Sequence, residues 1–259
     1  MKMNLNQNIS GVYRLYFGNI GVLLPLAMLP AVPAAIFTVV NHVLPSTLMT
    51  LVGGIIILIA YHVVYGAIVI AVNDLSLGKP ISMAEALGRV SPKLAKEIIL
   101  TGFIQWIMLM LGFILLVIPG IIFSIRYLFS IIVVVQEGAP YWPALERSRD
   151  IAKGHGWQIF LHLMAFTIPI VAVFGLIISS FTLFMEFFFN PEQSKFAVLL
   201  LVNILQPVMV SLTIIFTLAM YLDLKTAEPP AAPEPPLPLP GDGLPSEPEL
   251  PNLFPPANE

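Results

Sequence analysis

Six long apolar runs, at about residues 20–40, 48–72, 98–118, 121–135, 157–184 and 196–222, constrain this chain more than any other feature. A helix needs about 20 apolar residues to cross a hydrocarbon core of ~30 Å, whereas barrel strands are short and alternate in polarity. Five of the six runs reach that length, and only the fourth falls short. In lipid every backbone polar group must be satisfied within its own segment, so helices are the spanning element left to such a sequence. The predicted fold class is therefore all-α: a polytopic membrane bundle of six transmembrane helices. Composition agrees, with 58% hydrophobic and only 10% charged residues against about 25% charged in soluble domains. The chain has no cysteine, which excludes structural disulfides and thiolate metal sites.

The polar segments between the runs carry the charge. Residues 1–19 hold Lys2 and Arg14, and Ile9, Val12, Tyr13, Tyr16 and Phe17 recur close to helical spacing, as in a helix lying at the membrane surface. The segment 73–97 holds Lys79, Arg89, Lys93 and Lys96, and its Ser82 followed by Glu85 is a capping-box pattern that predicts a short surface helix over 83–90. The segment 136–156 alternates in sign through Glu137, Glu146, Arg147, Arg149, Asp150 and Lys153, and is read as a third surface helix. Placed with the C-terminal Lys225 on one side of the membrane, these segments hold ten of the twelve lysines and arginines; Lys195 lies on the other side and Arg126 inside the fourth run. The excess of basic residues in cytoplasmic loops then predicts six spans with both termini cytoplasmic, in a prokaryotic inner membrane.

Two domains follow: a six-helix transmembrane domain over 1–226, and an acidic tail over 227–259. From Glu228 the tail has twelve prolines, six acidic residues and no Lys or Arg, a composition that cannot bury a core and favours disordered, polyproline-like chain. Pro245, Pro248 and Pro251 at three-residue spacing fit either a solvated spacer or a ligand for a polyproline-reading protein partner. Each surface segment precedes an apolar hairpin, and Ala86–Arg89 and Ala144–Arg147 share the pattern Ala-Leu-x-Arg. Three repeated units of surface helix plus hairpin are the resulting expectation.

Several polar residues inside the runs are candidates for more than architecture. Arg126 is the principal one, because a charge at mid-membrane costs roughly 2.5–3.5 kcal/mol by insertion scales and needs something to lower that cost. Three readings stand open: snorkelling toward the outer headgroups, pairing in the bundle with Glu186 or Gln105, or contact with a lipid phosphate or substrate. His62 and His162 sit in separate runs with no partner at ligand spacing, so they read as structural histidines, and no metal or cofactor is expected. Asn203 and Gln206 give the sixth run a polar stripe suited to interhelical hydrogen bonds or to lining a polar path. Pro119 and Gly120 are expected to break the chain between the third and fourth runs. Arg89, Lys93, Lys96, Arg147, Arg149 and Lys153 are read as topology signals and contacts to anionic lipid headgroups. The interleaved Glu146 and Asp150 argue against nucleic acid as a partner.

The stretch from Ile118 carries a family resemblance. Ile118, Pro119, Gly120 and Ile121, then Arg126, Glu137 and Gly138, Ala144, Leu145 and Ser148, and finally Lys153 and Gly154 resemble the pattern of a family of six-span membrane domains. That family includes the membrane domain attached to some glycerophosphoryl diester phosphodiesterases and the YciC-like integral membrane proteins. The exit Tyr-Leu-Asp-Leu-Lys at 221–225 is similar to how such domains end. The resemblance covers about residues 1–226 in layout and is specific over 112–160. It implies architecture and leaves activity open; no catalytic barrel accompanies these spans. No nucleophile elbow, zinc-protease spacing or phosphate-binding glycine loop occurs either. Three functional readings follow: a non-enzymatic scaffold or regulator of envelope or lipid-associated processes, which leads; a transporter or lipid-handling protein; and an intramembrane enzyme, the weakest. A lipid-sized cavity reaching Arg126 would favour the second, and a sealed bundle the first. Oligomeric state is not legible in the sequence.

Overall fold

The computed structural model describes residues 5–227; the tail predicted from residue 227 onward falls, Ala227 apart, outside the described residues. Among the described residues all regular structure is helical: α1 (Leu5–Gly18), α2 (Ile20–Met28), α3 (Ala31–Val43), α4 (Thr47–Ser76), α5 (Met83–Gly88), α6 (Pro92–Leu115), α7 (Val117–Arg126), α8 (Ser130–Glu137), α9 (Trp142–Ala152), α10 (Gly156–Phe188) and α11 (Pro191–Ala227). Six segments are long and apolar enough to span a membrane: Ile20–Val43, Thr47–Ser76, Pro92–Leu115, Val117–Glu137, Gly156–Phe188 and Pro191–Thr226. The chain is a multi-pass helical membrane protein.

Local chemistry sets the boundaries. The first span divides into α2 and α3 at Leu29 and Pro30, the latter standing at the N-cap of α3, while Pro25 is carried inside α2. Ser82 caps α5 by accepting a hydrogen bond from the Glu85 amide, as its sequence pattern predicts, and Ser91 caps α6 by accepting from Leu94. Pro92 follows Ser91 as a first-turn residue of α6, where a missing N–H costs nothing. The third span accordingly begins six residues earlier than its apolar run.

The turn between the third and fourth spans corrects the sequence expectation. It falls at Leu116, the extended residue between α6 and α7, and not at Pro119 and Gly120, which lie in the first turn of α7. Proline fits a helical first turn because the amides there lack intrahelical partners anyway. Gly120 has a packing role: it is buried, and a Cβ there would collide with the Phe113 ring of α6. A Cβ on the opposing Gly112 would lie 3.0 Å from the Gly120 Cα. The two helices of this hairpin thus meet backbone to backbone, as small residues permit in membranes.

The fourth span is also not one helix. Regular α-helix stops after Arg126 and resumes at Ser130, bridged by the short-range bonds Leu128 N–H to Ile125 O and Ser130 N–H to Tyr127 O.

Burial is graded along the bundle. The end that carries α5 and α9 holds the core: Val64–Val72 of α4 apart from half-buried Tyr65, Ser130–Val134 of α8, and Ser211, Ile215, Phe216 and Tyr221 of α11. The opposite end, around Leu44, Leu116 and Phe187, exposes its large apolar side chains, with Phe187 82% accessible. Such a surface suits lipid, which solvates it as well as protein would.

The three surface helices occupy related positions. The helix α5 packs most extensively on α4, α9 on α8, and α1 on α11. Each therefore lies against the second membrane helix of the hairpin before it, and α1 closes the ring onto the last hairpin. Asp74 at the end of α4 pairs with Arg89 behind α5, and Glu137 at the end of α8 pairs with Arg147 on α9. The arginines of the shared Ala-Leu-x-Arg pattern make equivalent ion pairs, which gives the predicted three-unit arrangement a physical basis. Arg14 of α1, which lies outside that pattern, has no ion pair or hydrogen bond among the described residues.

Candidate functional site

Helix α9 is amphipathic by construction. Ala144, Leu145, Ser148, Ile151 and Ala152 are buried, while Trp142, Glu146, Arg149 and Asp150 stay exposed. Leu145 and Ile151 pack into the protein, whereas the large ring that stays outward is that of Trp142. Its Nε1–H donates to Glu146 Oε1 at 2.9 Å. The helix is anchored at three places. At its start, the Tyr141 amide donates to Thr101 Oγ1 of α6 at 3.0 Å, holding Tyr141 at a φ of 55°. In its middle, Ser148 Oγ accepts from the Phe129 amide at 3.1 Å and donates to the Arg126 carbonyl at 2.8 Å. One hydroxyl thus satisfies a donor and an acceptor that the break in the fourth span leaves without α-helical partners.

The third anchor is Glu137. Its Oε2 accepts from Arg147 Nε at 3.1 Å, and its Oε1 accepts from the Tyr221 hydroxyl at 2.8 Å and lies 3.1 Å from Lys225 Nζ. Three helices, α8, α9 and α11, converge on that carboxylate. A carboxylate accepting several charge-assisted bonds is held more strongly than an isolated surface pair. Along the chain Glu137 and Ser148 stand only as parts of a pattern; nothing in one sequence reveals that they fasten three elements together.

This fastening places α9 beside α7 and the start of α10, and a cavity of about 810 Å³ lies between them. One wall is apolar, formed by Ile118, Ile121, Ile122 and Ile125 of α7 with Trp157 and Phe160 of α10. The same lining carries Arg126 at the end of α7, Arg149 and Asp150 of α9, and Lys153 just beyond α9. Arg149 is engaged with Asp150, with Nε to Oδ1 at 3.5 Å. Arg126 and Lys153 are exposed, and neither side chain has a hydrogen bond or ion pair among the described residues. Helix α10 opens at the same place, and His155 at its N-cap makes no side-chain capping bond, so the positive end of the helix dipole adds to the field.

Arg126 therefore stands at the end of the molecule that carries α9, with Arg149 and Lys153 as neighbours. Pairing with Glu186 is overturned, because Glu186 lies at the far end of the 33-residue α10. Gln105 does not reach it either: its Oε1 is buried without any hydrogen-bond partner.

The remaining candidates are dispersed. The His62 ring sits against Gly102 of α6, in space that a Cβ there would need, and its Nδ1 is 2.8 Å from the Leu58 carbonyl. His162 Nδ1 is 2.7 Å from the Gln158 carbonyl of its own helix. Among the described residues no three His, Asp or Glu side chains converge as a metal site would need. Asn203 donates to Thr38 Oγ1 at 2.8 Å, tying α11 to α3, while Gln206 is exposed. Ser211, Thr213 and Thr217 donate to carbonyls of their own helix. Lys93 and Lys96 are exposed on the first turns of α6 and do not line the cavity. Compared with known proteins, the chain matches no protein-family model and no solved structure.

Proposed function

We propose that this protein is a lipid-handling membrane protein that takes the anionic headgroup of a membrane lipid into the cavity between α7, α9 and α10. The observation that carries this reading is the meeting of two chemistries in one cavity: an isoleucine-rich stretch of α7 suited to an acyl chain, and the cations Arg126 and Lys153, which have no partner among the described residues. A volume of about 810 Å³ falls in the ~300–1,000 Å³ range of small-molecule sites, enough for a headgroup with the upper part of a chain. Arg126 then repays its unfavourable position by binding phosphate, for which a guanidinium is well shaped. The scaffold reading loses its lead because the bundle is not sealed at Arg126. The reading involves no catalytic step.

Orientation belongs to the same proposal. The end bearing α5 and α9 faces the cytoplasm of a prokaryotic inner membrane, since that end carries the basic residues, Arg126 now among them. The resemblance to the six-span membrane domains, strongest over 112–160, is compatible with this role. Mass spectrometry of lipids retained by the purified protein tests it: anionic phospholipid should co-purify with the wild type and be depleted in the double variant Arg126→Gln, Lys153→Gln. Equal lipid content in the two proteins would sink the reading.

A further inference from the structure

The charge inventory of the cavity narrows the ligand, granted the lipid-binding reading above. Four charged groups line it, and two of these, Arg149 and Asp150, already neutralise each other at 3.5 Å. What remains is two positive charges, Arg126 and Lys153, with no acceptor for either among the described residues. A phosphodiester headgroup such as that of phosphatidylglycerol carries one negative charge and would leave one cation uncompensated. A phosphomonoester carries about −1.5 to −2 at neutral pH and three acceptor oxygens. It alone offers one compact group able to meet both the fork of Arg126 and the point charge of Lys153. We infer that the site selects a membrane amphiphile with a terminal phosphomonoester, a phosphatidate-like lipid, over phosphodiester lipids.

The remainder of the cavity supports a chain-bearing ligand over free phosphate. Ile118, Ile121, Ile122 and Ile125 extend the site along α7 from Arg126 back over about two helical turns. A free phosphate would leave that apolar wall uncovered; an acyl chain covers it.

The experiment is a competition in native mass spectrometry on the full-length detergent-solubilised protein, with phosphatidic acid, phosphatidylglycerol and phosphatidylcholine of identical chains. Phosphatidic acid should bind at least about fivefold more tightly than phosphatidylglycerol. Arg126→Gln and Lys153→Gln should each remove about fivefold of its affinity, one surface cation's worth, and should bring the two anionic lipids to parity. Lys79→Gln, which alters an exposed basic residue outside the cavity, should leave the preference intact, and an unchanged thermal melt checks that each variant is folded. Phosphatidic acid and phosphatidylglycerol binding equally, with both dependent on Arg126, would overturn this inference while leaving the lipid-binding reading standing. Binding that ignores Arg126 and Lys153 altogether would overturn both. Displacement of phosphatidic acid by equimolar glycerol phosphate or inorganic phosphate would show that the site reads a soluble phosphate and would also overturn both.

Discussion

The hydroxyl of Ser148 accepts a hydrogen bond from the backbone amide of Phe129 at 3.1 Å. It does so across nineteen residues, from the surface helix α9 to the break in the fourth span, and the same oxygen donates to the Arg126 carbonyl. Both Ser148 and Phe129 are fully buried, so water has no access to replace the bond. Ser148→Ala should therefore cost about 1–3 kcal/mol, the usual penalty of orphaning a buried polar group. It should appear as a lower melting temperature in detergent, together with faster hydrogen exchange of residues 127–130. Ser148→Thr, which keeps the hydroxyl but adds a methyl group to a packed site, should fall between. An alanine variant as stable as wild type would mean that the break is satisfied in another way.

The ion pairs Asp74–Arg89 and Glu137–Arg147 occupy equivalent places in successive units but should not be equally important. Arg89 is half exposed, with 48% of its side chain accessible, and exposed pairs contribute only about 0–1 kcal/mol. Glu137 accepts from Arg147, Tyr221 and Lys225 together, and hydrogen bonds to charged groups contribute about 1.5–3 kcal/mol. Glu137→Gln is thus expected to lower the melting temperature clearly more than Asp74→Asn. The reverse ranking would remove Glu137 as the fastener of α8, α9 and α11.

At the α6–α7 turn, the backbone contact leaves no room for a side chain. Gly120→Ala should force Phe113 aside and destabilise the hairpin by about 1–3 kcal/mol, the range for overpacked sites. Gly120→Leu should prevent the hairpin from closing and reduce the yield of folded protein. Phe113→Ala introduced with Gly120→Ala should recover part of the loss, as expected when two substitutions share one contact. Additive losses in the double variant would show that the strain lies elsewhere.

Because the chain has no cysteine, orientation can be read with single-cysteine variants. Ser82→Cys, ahead of α5, should be protected from a membrane-impermeant thiol reagent in intact cells and react after permeabilisation. Ser46→Cys, in the connection between α3 and α4 at the opposite end, should react in intact cells. The opposite labelling pattern would invert the proposed topology.

Order along the chain specifies one-dimensional chemistry. The apolar runs fixed six spans because lipid admits only internally bonded helices. Ser82 with Glu85 fixed a cap, and the repeated Ala-Leu-x-Arg marked two surface helices whose arginines meet acidic residues at equivalent positions. The chain turn was legible to within a few residues of Pro119 and Gly120, although their roles, first-turn proline and contact glycine, depend on Phe113 and Gly112 across the hairpin. Tertiary structure alone decided where Arg126 stands. Counted along the chain, it lies within an apolar run and invites a partner such as Glu186 or escape to the outer surface. In the folded protein the fourth span breaks just beyond it, Ser148 secures the break, and α9 brings Arg149 and Lys153 to its side. The reason is physical: the cost of a charge in a membrane depends on what packs against it from distant parts of the chain. Hydropathy measures only the residues next to it.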